Sequence, residues 1–470
     1  MSETRREHDF LGELDIPAHI YYGIQTYRAV ENFKISGISI SLLSKFIQGM
    51  ACVKKAAALA NCELGVLSQE KCDAICRACD EVVAGKFDDQ FPIDVFQGGA
   101  GTSCNMNANE VIANRALELM GHKKGEYQYC HPNNDVNCSQ STNDAYPTAI
   151  RIALYAKLTQ LIGDMDYLRQ ALADKAEEFK DVIKMGRTQL QDAVPMTLGM
   201  EFAAYAETIS EDMMRVGEAR NLIAEINMGA TAIGTGINSP EGYAALVTRK
   251  LREVSGVPVE MAGNMVEATS DTGAYVQLSG VLKRCATKIS KICNDLRLLS
   301  SGPRCGLNEI NLPPRQPGSS IMPGKVNPVM PEVMNQICFD IIGKDVTITL
   351  AAEAGQLELN VMEPVIAYSL FSGMKRLGAG CRSLVDYCIR GITANRERCR
   401  ELVYHSIGIV TALNPWLGYE TSASIAREAL ESGRSLVDIV LERQLLTREQ
   451  LDDLLAPEHM LRPGTWKKDA

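Results

Sequence analysis

The chain has 470 residues, 46% of them hydrophobic and 23% charged, and a formal charge of -10. This is ordinary for a globular protein of about two to four domains, and the acidic balance argues against a nucleic-acid partner, which calls for a basic face. No run approaches the roughly 18 apolar residues of a membrane span, so no membrane partner is expected.

Residues 1–142 read as an N-terminal domain of shorter helices. The opening MSETRREHDF carries charge but no apolar stretch, so no secretory signal is expected. The 15 cysteines are scattered through apolar helical stretches, and the odd count reads as reduced thiols in a cytoplasmic protein. Cys72, Cys76 and Cys79 have a spacing that can hold an iron–sulfur cluster. The same spacing places three small apolar groups on one helix face, and the flanks (QEKCDAICRACDEVV) continue as amphipathic helix, so helix is expected. The glycines at Gly98, Gly99 and Gly101 do not stand between a strand and a helix, which excludes a dinucleotide loop.

Residues 143–395 read as a central domain of long helices. From Tyr146 to Met185 the apolar positions Ile150, Leu154, Leu158 and Leu161 recur at helical spacing, with Pro147 suited to the first turn and Gly186 to the end. Similar segments run from about Gly199 to Asn227, Asn264 to Leu299, Pro331 to Glu353 and Pro364 to Ile392. A helix of 35 residues spans roughly 50 Å. Five such helices suit a long bundle shared between subunits better than a compact monomer, and no fixed repeat suggests a solenoid. Gly318 to Lys325 differs from a phosphate-binding loop: five residues separate its glycines, Pro323 lacks an N–H, and no Ser or Thr follows the lysine. The six histidines form no tight ligand pair, so a catalytic zinc is not expected. Residues 396–470 read as a small C-terminal helical domain, with Thr447 and Gln450 as a capping box for a last helix.

Four segments are rich in small hydrogen-bonding residues: Gly98–Asn109, Gln140–Asp144, Gly186–Pro195 and Gly318–Pro328. Hydroxyls, amides and backbone N–H groups of this kind can surround two carboxylates, with Lys325 as a fixed positive charge. Capping and turn chemistry would explain any one of them alone. Four together point to a small dianionic ligand held without a metal or organic cofactor.

On these residues the chain resembles the fumarase/aspartase superfamily. GSSIMPGKVNP (Gly318–Pro328) matches its shared signature over the whole length. Within it the chain is most similar to the aspartate ammonia-lyases, through GEYQY (Gly125–Tyr129), QSTNDAYPT (Gln140–Thr148), GRTQLQDAVPMTLG (Gly186–Gly199), SSGPRCGLNEINLP (Ser300–Pro313) and AAEAGQLELNVMEPVI (Ala351–Ile366). The resemblance implies an all-α fold of three domains with a central five-helix bundle. Four such bundles form the core of a homotetramer whose sites draw loops from three subunits. It implies reversible elimination of ammonia from L-aspartate to give fumarate, through loss of the C3 proton and an aci-carboxylate intermediate. It makes Ser319 the base. Thr102, Ser141, Thr142 and Ser320 would bind the β-carboxylate, Asn143, Thr188 and Gln189 would surround the amino group, and Lys325 and Asn327 would hold the α-carboxylate. No cofactor is required, although some family members are activated by Mg²⁺.

The runner-up is class II fumarate hydratase, which shares the signature loop. Gln189 favours the ammonia-lyase, because fumarases resemble GRTH there and glutamine cannot titrate. Thr142, in QSTND rather than QSSND, and Val329–Val333 favour it too. His131-Pro132-Asn133 points the other way, since it resembles an accessory-site segment of fumarases. The signature loops of argininosuccinate and adenylosuccinate lyases diverge from this one. A structural, lens-type role would fit loss of Ser319 or Lys325, and both are present.

Overall fold

The structure is a computed structural model, and it describes residues 3–461; the end of the expected C-terminal domain, residues 462–470, lies outside the described residues. The order is β1 (Thr4–Asp9), β2 (Gly12–Pro17), α1 (Ile24–Asn32), α2 (Ser44–Glu63), α3 (Gln69–Val83), α4 (Thr102–Leu119) and α5 (Thr142–Glu178). There follow β3 (Ile183–Thr188), β4 (Gln191–Thr197), α6 (Leu198–Ile223), β5 (Glu225–Ile226), α7 (Tyr243–Ser255), β6 (Glu260–Met261), α8 (Met265–Ser270) and α9 (Gly273–Leu299). There follow β7 (Ile310–Asn311), α10 (Val329–Glu353), α11 (Glu363–Tyr387), β8 (Thr393–Ala394), α12 (Arg396–Tyr404), α13 (Asn414–Leu417), α14 (Tyr419–Ser432), α15 (Leu436–Glu442), α16 (Arg448–Leu454) and α17 (Pro457–Met460). The strands pair only two by two, so the fold is mostly α, as expected. Among the described residues no helix is long and apolar enough to cross a membrane.

The five long helices α5, α6, α9, α10 and α11 are those that apolar spacing indicates, with different ends. α5 starts at Thr142 rather than Tyr146, because Ser141 caps it, and it stops at Glu178. Met185 and Gly186 belong instead to strand β3, which pairs antiparallel with β4. The expected helix from Asn264 is interrupted, since the Asp271 carboxylate accepts the N–H of Gly273 at 2.8 Å and starts α9 afresh.

By its internal packing the chain forms two compact units, and each long helix contributes to both. The first unit comprises Met1–Gly163, Asp212–Ala286 and Ile337–Gly378. In it α2 packs on α3 and α7, and α3 on α4. The alanine-rich run of α2 leaves little side-chain bulk on either face, so Ala51, Ala56, Ala57, Ala58 and Ala60 are all buried. Cys72, Cys76 and Cys79 lie on helix α3, as their spacing suggests, with Cys72 and Cys79 in the core. On α10 of this unit, Phe339, Val346 and Leu350 form an exposed apolar stripe, each 58–63% accessible.

The second unit comprises Asp164–Glu211, Thr287–Gln336 and Ala379–Ala470. Its core gathers Val403, Ile409, Leu413, Ile425, Ile439, Val440 and Leu451 around Met185 of β3. Burying one face of the β3–β4 hairpin explains why this segment is strand rather than helix. The capping box at Thr447 and Gln450 is present, with N–H to side-chain distances of 2.9 and 3.2 Å.

Candidate active site

The first group of expected site residues lies in the first unit, at the starts of two helices. The approach to α4 bends through Gly99, Ala100 and Gly101, all left-handed, with φ of 91°, 55° and 88°. Only glycine fits at position 101, because a Cβ there would lie 2.5 Å from the ring of Tyr146. Tyr146 stands one turn into α5, so this close approach brings Thr102 beside the start of α5. Asn105 links the two ends: its N–H donates to Gly101 O at 3.0 Å and its Nδ2 to Thr142 Oγ1 at 3.1 Å.

Ser141 and Asp144 form a reciprocal cap on α5. Ser141 Oγ accepts the N–H of Asn143 at 3.2 Å, and Asp144 Oδ1 accepts that of Ser141 at 2.9 Å. The other oxygen of Asp144 accepts the N–H groups of Gly229 and Thr231 at 3.1 and 2.9 Å. Burial pushes this carboxyl up to about 6. Asn143 is held at both ends: Nδ2 donates to Ala232 O at 2.7 Å, and its carbonyl accepts Asn227 Nδ2 at 3.0 Å. That carbonyl is the one Pro147, four residues on and without an N–H, cannot bond.

Beneath this corner lies Lys54 of α2, fully buried. Its Nζ donates to Asn105 Oδ1 at 2.6 Å, Gln140 Oε1 at 2.8 Å and Asn137 Oδ1 at 3.0 Å. Burial pushes the ammonium down to about 7. Its three hydrogen-bond partners are neutral amides, and the buried Asp144 carboxylate of the same corner favours its charged form. The ends of α4 and α5 each carry partial positive charge. With the Thr102, Ser141 and Thr142 hydroxyls they make a place suited to an anion. Sequence reasoning missed Lys54 and Asn137, and it reached Asn105 and Asp144 only as members of the polar segments Gly98–Asn109 and Gln140–Asp144, with no role of their own. The signal for Lys54 was a lysine inside the apolar run MACVKKAAALA, where its neighbour Lys55 takes the outer face and pairs with Asp80 at 2.6 Å.

The second group lies in the second unit. Thr188 and Gln189 are exposed at the tip of the β3–β4 hairpin, where Thr188 pairs with Gln191 across the turn Gln189–Leu190. The signature loop is tied at its neck: Gly318 N–H donates to Lys325 O at 2.7 Å, and Asn327 Nδ2 donates to Gly318 O at 2.8 Å. Asn327 therefore shapes the loop with the same amide expected to meet a carboxylate. Inside the loop Ser319 Oγ accepts the N–H groups of Ile321 and Met322 at 3.2 and 3.1 Å. Two converging donors favour a negatively charged oxygen there. Ser320 and Lys325 are exposed.

His131 caps a short helical turn, Pro132–Val136, with Nδ1 accepting the N–H groups of Asn133 and Asn134 at 3.0 and 3.3 Å. Burial pushes its pKa down, which suits an accepting, neutral ring.

The lyase family model matches residues 12–343, and the fumarase C C-terminus model matches residues 409–462. Aspartate ammonia-lyase of Helicobacter pylori is 61% identical over 464 residues, covering 99% of each chain. The crystal structure of a fumarate lyase:delta crystallin from Brucella melitensis superposes with a TM-score of 0.96 at 53% identity, covering 98% of this chain and all of that one. A recombinant class II fumarase from Schistosoma mansoni superposes with a TM-score of 0.93 at 36% identity, covering 97% and 99%.

Proposed function

The chain belongs to the lyase family, within the fumarase/aspartase superfamily, and from that premise we propose that it eliminates ammonia from L-aspartate, reversibly, to give fumarate. The observation that carries this reading is full-length likeness: 61% identity to an aspartate ammonia-lyase against 36% to a class II fumarase. Gln189, unable to titrate, stands where fumarases resemble histidine, which fits an amine leaving group.

In this proposal Ser319 takes the proton from C3. The two N–H groups on its Oγ stabilise the alkoxide that a free serine could not maintain. The C–H electron pair passes into the neighbouring β-carboxylate, giving an aci-carboxylate. Donors in place before the charge develops lower this barrier, and losing one typically costs about 10²–10³ in rate. Thr102, Ser141, Thr142 and Ser320 have that role. Ser141 Oγ and Thr142 Oγ1 each accept an internal N–H, which leaves their own protons to donate to an outside acceptor. The intermediate then collapses to the C2–C3 double bond, and the C2–N pair leaves with ammonia. Asn143, Thr188 and Gln189 face the amino group, while Lys325 and Asn327 hold the α-carboxylate.

The chemistry needs no cofactor, and Mg²⁺ is assigned no part beyond activation. We place the chain in a homotetramer in the cytoplasm, with loops of three subunits at each site. The stripe Phe339, Val346 and Leu350 follows a spacing of seven and four residues, the pattern of a helix seam, and supports such association. Cys52, Cys72, Cys79, Cys104, Cys130 and Cys399 are buried as free thiols, which suits a reducing compartment. Ser319→Ala tests the assignment of the base. The variant is expected to assemble normally and lose most turnover with aspartate; near-normal turnover would overturn the role of Ser319.

A further inference from the structure

We propose that Glu309 is a positioning residue for the amino-group end of the site: its buried carboxylate locks the β3–β4 hairpin so that Thr188 and Gln189 are presented in one geometry. The inference rests on the assignment of those two residues to the substrate amino group.

Gln189 and Leu190 both have positive φ, 54° and 63°, the backbone of a tight turn that ordinarily takes Asn and Gly. Neither side chain favours that region, so the turn is strained and persists only where its surroundings impose it. Leu190 is 71% exposed, so packing at the tip does not impose it. The constraint comes from the stem.

In the stem the register shifts between Met185, opposite Pro195, and Arg187, opposite Asp192. In a regular strand Lys184 and Arg187, three residues apart, would point to opposite faces. Across the irregularity both reach the same carboxylate: Lys184 Nζ lies 3.2 Å from Glu309 Oε2, and Arg187 Nη1 lies 2.7 Å from Oε1. Gly186 lets the strands close at this point, since a Cβ there would lie 2.8 Å from Val194 O. Lys184 also pairs with Glu201 at 2.6 Å, so both cations of the stem have a partner.

Glu309 is completely buried, and its main chain is itself fastened. Its N–H donates to Leu299 O at 2.9 Å, and its carbonyl accepts the N–H of Asn395 at 2.8 Å. The carboxylate is thus a fixed point that grips the stem on both sides of the register shift, and Arg187 is the residue before Thr188. A merely structural ion cluster would affect every substrate alike. A clamp on the Thr188–Gln189 turn affects the ligand bearing nitrogen.

The test uses the full, assembled enzyme with Glu309→Gln, which keeps the side-chain shape and removes the charge. The KM for L-aspartate, and that for ammonium in the reverse reaction, are expected to rise about 10-fold, while the KM for fumarate stays within about twofold. Glu309→Asp keeps the charge and should recover part of the loss; if Glu309→Gln does not assemble, Glu309→Asp carries the same comparison. Equal rises for fumarate and ammonium, or an unchanged KM for ammonium, would overturn the proposal. Failure of the underlying functional reading looks different, because the unaltered protein would then release no fumarate from aspartate.

Discussion

Replacing Gly101 by alanine tests how closely the anion-binding corner depends on one backbone contact. The new Cβ would lie 2.5 Å from Tyr146 ring carbons, at a φ of 88°. Holding a non-glycine residue in the left-handed region costs roughly 1–2 kcal/mol. Forcing a methyl group into a filled core adds about 1–3 kcal/mol. Tyr146 has little room to yield, being 2% exposed and set edge-on to Phe46 at 5.4 Å between ring centroids. The start of α4 must move instead, and Thr102 with it. A displacement of about 1 Å in a positioning group can cost on the order of 10²-fold in rate. Gly101→Ala should therefore lose about 2–5 kcal/mol in urea unfolding and about 100-fold in kcat/KM for aspartate. Gly98→Ala, three residues away with nothing within 4 Å of its Cβ, is the internal control and should be near neutral. If Gly101→Ala stayed within about 0.5 kcal/mol of the unaltered protein and kept its activity, the reasoning about this corner would be wrong.

Lys54 carries a pH dependence of definite sign. Its folded pKa, about 7, lies below the ordinary 10.5, so between those values the unfolded chain binds the extra proton and stability rises with pH. Lys54→Met should flatten that rise, read as the difference in urea midpoint between the two proteins at pH values across the window; a parallel pair of curves would contradict it. The same variant strands the amide oxygens of Asn105 and Gln140, each costing about 1–3 kcal/mol at all pH values, while that of Asn137 keeps the Nδ2 donors of Asn105 and Asn109. Phe339→Glu places a charge in the apolar stripe of α10, and light scattering should then show a smaller species than the unaltered protein gives; an unchanged mass would remove the stripe from the assembly surface.

The long helices were legible because apolar residues recur at helical spacing over many turns. Their ends were less so, since they depend on single side chains such as Ser141 and Asp271 whose capping role is local and easily read as part of a continuing helix. The β3–β4 hairpin escaped sequence reasoning for a different reason. GRTQLQDAVP has no Asn-Gly or Asp-Gly turn, and its Gln-Leu tip is stable only through the stem and the core around Met185. Polar loops at Thr102, Ser141–Asn143 and Ser319–Asn327 could be found as clusters of small donors. Lys54 and Glu309 could not be given a meaning, because their partners lie 51–86 and 122–125 positions away and only the folded chain brings them together.

The central claim is the choice of leaving group, and the most direct measurement is the ultraviolet absorbance of fumarate on incubation of the purified protein with L-aspartate and, separately, with L-malate. The account predicts a rise with aspartate, accompanied by an equal amount of ammonia, and none with malate. A rise with malate alone would contradict it and make the protein a hydratase.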